Sequence, residues 1–114
     1  MEIGQATKLT VYVDDSTGHG RGPLYRAVVR VLHGEGIAGA TVLHGIEGYG
    51  AGQRIHTARI LDLSRGLPVV IVAIDRDDKI KAVLPKLDAM IGKGLVTTER
   101  VEVVVWNSLS PPGP

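Results

Sequence analysis

From Leu67 to Ile74 the chain reads LPVVIVAI, apolar at every position. The run is far shorter than the roughly 20 residues that would span a bilayer, and its β-branched content reads as a strand. A strand in a sheet that faces water on one side alternates apolar and polar residues; this one offers apolar side chains to both faces. Val103, Val104, Val105 and Trp106 in the last strand do something similar. The fold must therefore bury one sheet face under its own helices, and the second face calls for another apolar surface. A second copy of the chain is the simplest supply, which predicts a closed homo-oligomer. A long loop folded back over the sheet is the alternative.

The other elements follow from periodicity. In TKLTVYVDD, Leu9, Val11 and Val13 alternate with Thr10 and Tyr12, a half-buried strand. After the punctuation STGHGRG, Pro23 suits the first turn of a helix. Leu24, Ala27, Val28, Val31 and Leu32 share one face of that helix, and Gly34 and Gly36 end it. ATVLHGIEG is a second strand and LPVVIVAID a third. RDDKIKAVLPKLDAMIGKG is a second helix, with Ile80, Val83, Leu84, Leu87 and Ile91 on one face and Asp75 or Asp77 as its cap. Pro85 is expected to kink or divide it. LVTTERVEVVVW is the last strand. The order strand, helix, strand, strand, helix, strand is the ferredoxin-like split βαβ arrangement, an α+β fold. Its four-stranded antiparallel sheet carries two helices on one face. Residues 1–107 form the single domain and 108–114 a flexible Pro-rich tail.

Composition narrows the function. The chain has 114 residues, no Phe and no Cys, so its core is aliphatic and disulfides, thiolate nucleophiles and cysteine metal sites are excluded. A formal net charge of +1 gives no electrostatic case for nucleic acid or for a membrane surface. MEIGQATKLTVYVDD lacks the basic start and apolar run of a signal peptide, so a cytoplasmic location is expected. His19, His33, His44 and His56 show no metal-site spacing. No nucleophile elbow is visible, and Asp14 with Asp15 beside a turn reads as a solvated pair. The chain is therefore read as a non-enzyme; a small nucleotide-processing enzyme built on Asp14, His19 and Arg21 is the catalytic alternative.

Three glycine-rich turns carry chemistry. GYGAGQRIHTARI places Gly48, Gly50 and Gly52 where backbone amides can approach an anion, with Arg54 and Arg59 able to fork onto phosphate or carboxylate. The bland alternative is a solvated hairpin tip. It is not a dinucleotide fingerprint, because no helix follows the glycines directly. GHGRGP leads into a helix N-terminus, and His19 and Arg21 would add to an anion pocket there; otherwise it is a turn that needs glycine. In GKG, Gly92–Lys93–Gly94 reads in isolation as a helix C-cap.

GHGRGPLYRAVVRVLHGEGIAGATVLHGIEGYGAGQRIHTARILDLSRGLPVVIVAID, followed by KAVLPKLDAMIGKGLVTTERVEVV, resembles the DUF190 family of bacteria and archaea. The resemblance runs from about Lys8 to Val105, with GIAGATVLHGIEGYG and RIHTARIL as its most specific parts. It implies membership of the PII-like signalling superfamily: ferredoxin-like trimers, homo-oligomers that bind adenine nucleotides in clefts between subunits. It implies that residues 48–66 are equivalent to the T-loop, which reports the ligand to a partner protein. By position, Gly48, Gly50, Gly52, Gln53 and Arg54 would form the loop-base site, and Gly92, Lys93 and Gly94 the phosphate loop before the last strand, with Arg100 nearby. The tyrosine that PII proteins nucleotidylate has no secure counterpart, since Tyr49 sits too near the loop base. The implied ligands are ATP, ADP or AMP, with or without magnesium, and no cofactor is otherwise required. Occurrence of the family beside fluoride-channel-type membrane proteins implies such a protein as partner. A module that docks on a membrane or cytosolic protein without any small ligand is the competing reading.

Overall fold

The computed structural model describes residues 2–49, 55–57 and 66–107. Strand β1 (Gly4–Asp14) leads to a two-residue ladder of β2 (Gly18–His19) and β3 (Gly22–Pro23), and then to helix α1 (Leu24–Gly34). Next come β4 (Ala40–His44) and a second short ladder, β5 (Glu47–Gly48) with β6 (His56–Thr57). Strand β7 (Pro68–Asp75), helix α2 (Asp77–Met90) and β8 (Leu95–Val103) complete the chain. The main sheet runs β4-β7-β1-β8, and every neighbouring pair is antiparallel. This is the ferredoxin-like α+β fold expected from the periodicity.

Register decides which residues make the core. Val11 lies between Ile71 of β7 and Val96 of β8, and Leu9 lies beside Ala73. Leu9, Val11, Val69 and Ile71 are fully buried under Leu24, Val28 and Leu32 of α1 and Ile80, Val83 and Leu87 of α2. Each such aliphatic side chain contributes about 1.5–3 kcal/mol by leaving water. The opposite face of the sheet has no helix. Val70, Val72 and Ile74 lie half-buried on it, while Leu43, Tyr12 and Leu95 are 54%, 43% and 56% exposed. The unbroken apolar run thus serves two faces, one covered by helices within the protomer and one not.

Several boundaries differ from those expected. Pro23 is the N-cap of α1 and lies outside its first turn. Helix α1 continues through Gly34 and stops at Gly36, whose φ of 78° is the left-handed geometry of a Schellman end. There the Ile37 amide donates to the Leu32 carbonyl and the Gly36 amide to that of His33. Neither Asp75 nor Asp77 caps α2. Its N-cap is Arg76 and makes no side-chain capping bond. Asp75 is buried and accepts the Ala38 amide at 2.8 Å and the Arg76 amide at 2.7 Å. Asp77 accepts the Thr7 hydroxyl at 2.7 Å and pairs with Lys81 at 2.9 Å. Helix α2 is continuous through Pro85, because that residue is exposed and water can satisfy the carbonyl that the proline ring leaves free. The helix ends at Met90, with Ile91 as its cap, so Gly92 and Gly94 do not cap it. The second strand is interrupted after His44, and β8 ends at Val103, where its partner β1 runs out at Gly4.

Candidate functional site

The turn after β1 is organised by its carboxylates. Asp14 Oδ1 accepts four hydrogen bonds, from the amides of Ser16 and Thr17 at 2.9 and 2.8 Å and from their hydroxyls at 2.7 and 2.9 Å. Burial pushes the Asp14 carboxyl up, but the hydrogen bonds from Ser16 and Thr17 outweigh it and hold the group below the usual carboxylate range. The Thr17 carbonyl then accepts the Leu24 amide at 2.8 Å, which joins the turn to the start of α1. Between them stands the β2–β3 ladder, with Gly20 at φ 62° in its tip and His19 and Arg21 exposed on it. Asp14 thus serves as a turn anchor.

Asp15 fastens a distant segment. Its amide donates to the Leu67 carbonyl at 2.9 Å, and its Oδ1 accepts the Leu67 amide at 3.0 Å. The other side of the same connection is fixed by Pro68, whose carbonyl accepts the Gly45 amide at 2.7 Å. A Cβ on Gly45 would stand 2.5 Å from the Pro68 ring, and one on Gly48 would stand 3.0 Å from it, so both glycines permit a close approach. The base of the long β4–β7 connection is therefore tied on both sides, and the β5–β6 ladder extends from it. Gly48 lies at this base; Gly50, Gly52, Gln53, Arg54 and Arg59 lie outside the described residues. No motif in the sequence announces this double fastening. Its local signal is DDST at a strand end, a pattern that favours side-chain-to-backbone turns.

The Gly92–Gly94 loop connects α2 to β8. Lys93 is exposed. A Cβ on Gly94 would meet the Tyr12 carbonyl oxygen at 2.7 Å and Ile91 Cγ2 at 2.9 Å, whereas one on Gly92 would meet nothing within 4 Å. The two glycines therefore differ: Gly94 is required by packing and Gly92 is not.

The described loops converge on one end of the sheet. Strands β1 and β4 finish there, and β7 and β8 begin there, so the 15–23 turn, Gly48 and Gly92–Gly94 share that end. Gly48 follows β4 on one edge, and Lys93 precedes β8 on the other. Three interstrand spacings separate the edges, about 14 Å. One protomer does not bring the two loops together. Arg100 is not part of either; it pairs with Thr7 on the helix side of β8, five positions beyond Leu95, about 17 Å along the strand. His44 packs edge-on against Tyr25, with ring centroids 5.4 Å apart. Among the described residues, no group of three or more His, Cys, Asp or Glu is placed to hold a metal ion, and no helix is long and apolar enough to cross a membrane.

Residues 6–103 match the model of the DUF190 family, described as an uncharacterized ACR group. The chain belongs to the DUF190 family. A UPF0166 protein of Aquifex aeolicus (strain VF5) is 31% identical to this DUF190 chain over 104 residues, 91% of it and 98% of the relative. A UPF0166 protein of Methanocaldococcus jannaschii is 42% identical over 74 residues, 64% of the chain and 68% of the relative. Among solved structures, a PII-like signalling protein of Thermus thermophilus has a TM-score of 0.67 at 19% identity, covering 91% of this chain and 94% of that one. CPII of Thiomonas intermedia K12 is a nitrogen regulatory PII-like protein bound to ADP, AMP and bicarbonate. It has a TM-score of 0.62 at 14% identity, with coverage of 90% and 91%. The DUF190 chain shares the PII-like fold with both.

Proposed function

We propose that this chain is a cytoplasmic, non-enzymatic PII-like regulatory protein that binds a small anionic ligand, an adenine nucleotide, in clefts between the subunits of a homotrimer. The placement of the loops carries the proposal. Gly48 and the Gly92–Gly94 loop share one end of the sheet but occupy opposite edges. A head-to-tail ring sets the β4 edge of one copy beside the β8 edge of the next, and this completes a site that a single protomer leaves in two halves. Gly48, Gly50, Gly52, Gln53 and Arg54 would supply one half, and Gly92, Lys93 and Gly94 the other. His19 and Arg21 stand at the same end. The nucleotides bound to CPII, a protein of this fold, are consistent with that ligand class. The 48–66 loop would report occupancy to a partner, with a fluoride-channel-type membrane protein as the candidate. Such reporting requires that the ligand bind one loop state better than another.

A thermal-shift panel with ATP, ADP and AMP, with and without magnesium, tests the reading. Ligand at 100 times its dissociation constant adds about 2.7 kcal/mol per site. For a domain of this size, each kcal/mol moves the unfolding midpoint by roughly 4–8 °C. Lys93→Ala and Arg54→Ala should abolish most of the shift while leaving the unliganded midpoint in place. A flat panel at millimolar nucleotide would reject the nucleotide site.

One observation favours the ligand-independent module instead. Ile46, Tyr49 and Ile55, around the β5–β6 ladder, are 78%, 65% and 69% exposed, an apolar tip suited to protein contact. Amide exchange over residues 48–66 separates the two: nucleotide slows it in the sensor and leaves it unchanged in the docking module.

A further inference from the structure

Apart from Asp14 at its rim, whose carboxylate is taken up by the Ser16 and Thr17 amides, the helix-free face of the sheet is apolar or uncharged at every position but two. Those two are Lys8 on β1 and Glu99 on β8. They are direct cross-strand partners, with Lys8 Nζ 3.6 Å from Glu99 Oε1. Thr10 and Thr97 form the next cross-strand pair on that face in one direction, and Ala6 and Val101 in the other. Val72 and Ile74 adjoin them from β7.

In an isolated protomer this pair does little. It is open to solvent and screened by salt, and exposed pairs of this kind contribute almost nothing to stability. Its position matters once the face is covered. Taking two charges out of water opposes association, and an apolar pair of similar volume would associate at least as well. Removing one partner, by contrast, strands the other as a buried unpaired charge. A single ion pair in an apolar face therefore acts on specificity: arrangements that part the charges, or seat either against apolar residues, are penalised. The chemistry of the face also selects its occupant. Inside the Asp14 rim it carries one charge of each sign and sums to zero, so a second copy offers each group an opposite one, whereas a partner of single-sign charge would leave one group unmatched.

We infer that Lys8 and Glu99 are the register pin of self-association: the helix-free face docks on the same face of further copies, and the pair selects one stoichiometry among the packings that an apolar sheet face would otherwise permit. The inference rests on the homo-oligomer of the proposed function.

The test uses the full chain in size-exclusion chromatography with light scattering and native mass spectrometry over a concentration series. Circular dichroism checks that each variant folds. Lys8→Met and Glu99→Met should each raise the midpoint concentration of assembly tenfold or more. The double variant should assemble at least as tightly as the natural chain but as a mixture of stoichiometries. The exchanged pair, Lys8→Glu with Glu99→Lys, should return to one stoichiometry. If either single variant is too unstable to purify, the double and exchanged variants decide the matter. Single variants that assemble like the natural chain, or a double variant with one stoichiometry, would overturn the register pin alone. A natural chain that stays monomeric at every concentration would overturn the oligomer and the pin together.

Discussion

Gly94 shows how one hydrogen in place of a methyl group can be decided by packing. Its neighbours at 2.7–3.1 Å are a backbone oxygen and two branched side chains, none of which can withdraw freely. Gly94→Ala is expected to cost about 1–3 kcal/mol by overpacking, read as a lower thermal midpoint, while Gly92→Ala, with open space around it, leaves the midpoint nearly unchanged. Loss of ligand binding in Gly92→Ala would then report on the site without the fold. Asp14 carries a pH signature. Its folded pKa lies below the ordinary value near about 3.9, so the unfolded chain takes up the proton first. The stabilisation is present above the unfolded pKa and is lost as pH falls through the folded one. Asp14→Asn keeps an oxygen for the same donors and removes the titration. Its stability, measured by chemical denaturation across an acid series, should fall less steeply below about pH 4 than that of the natural chain.

Elements are where local sequence informs most and then stops. The buried stripes Leu24, Val28, Leu32 and Ile80, Val83, Leu87 fall at helical spacing, and so are legible without coordinates. Pro85 is legible as a missing hydrogen bond, but not as a tolerated one, because its exposure depends on which face of α2 meets the sheet. Pro85→Ala should therefore stabilise the protein, by up to about 3 kcal/mol from helix propensity, seen as a higher denaturation midpoint. Strand ends are less legible. Val104 and Val105 have every preference for a strand, yet β8 stops at Val103 because β1 offers no further partner. The tie between Asp15 and Leu67 spans 52 positions, and no local pattern encodes a partner at that distance. The candidate glycine and lysine residues are legible as types; their distribution over opposite sheet edges is not, since that depends on strand order.

At the scale of the whole molecule, the run from Leu67 to Ile74 announces a sheet with two apolar faces, and the structure covers one of them. Val72 sits on the uncovered face between Thr10 and Thr41. Val72→Glu should yield a folded protomer that sediments at the mass of one chain, whereas retention of the assembled mass would place the interface elsewhere. The same sheet has another property. Gly4 of β1 and Val103 of β8 are paired neighbours, at the end of the sheet away from every candidate loop. Paired residues of this kind lie about 5 Å apart, so the first and last strands are close enough there for a short peptide bridge. The fold is in this sense topologically circular. A permuted chain, closed across that pair and opened between β5 and β6, would keep every ladder of the main sheet and both ties at the base of the long connection, while dividing the connection beyond them into two independent arms.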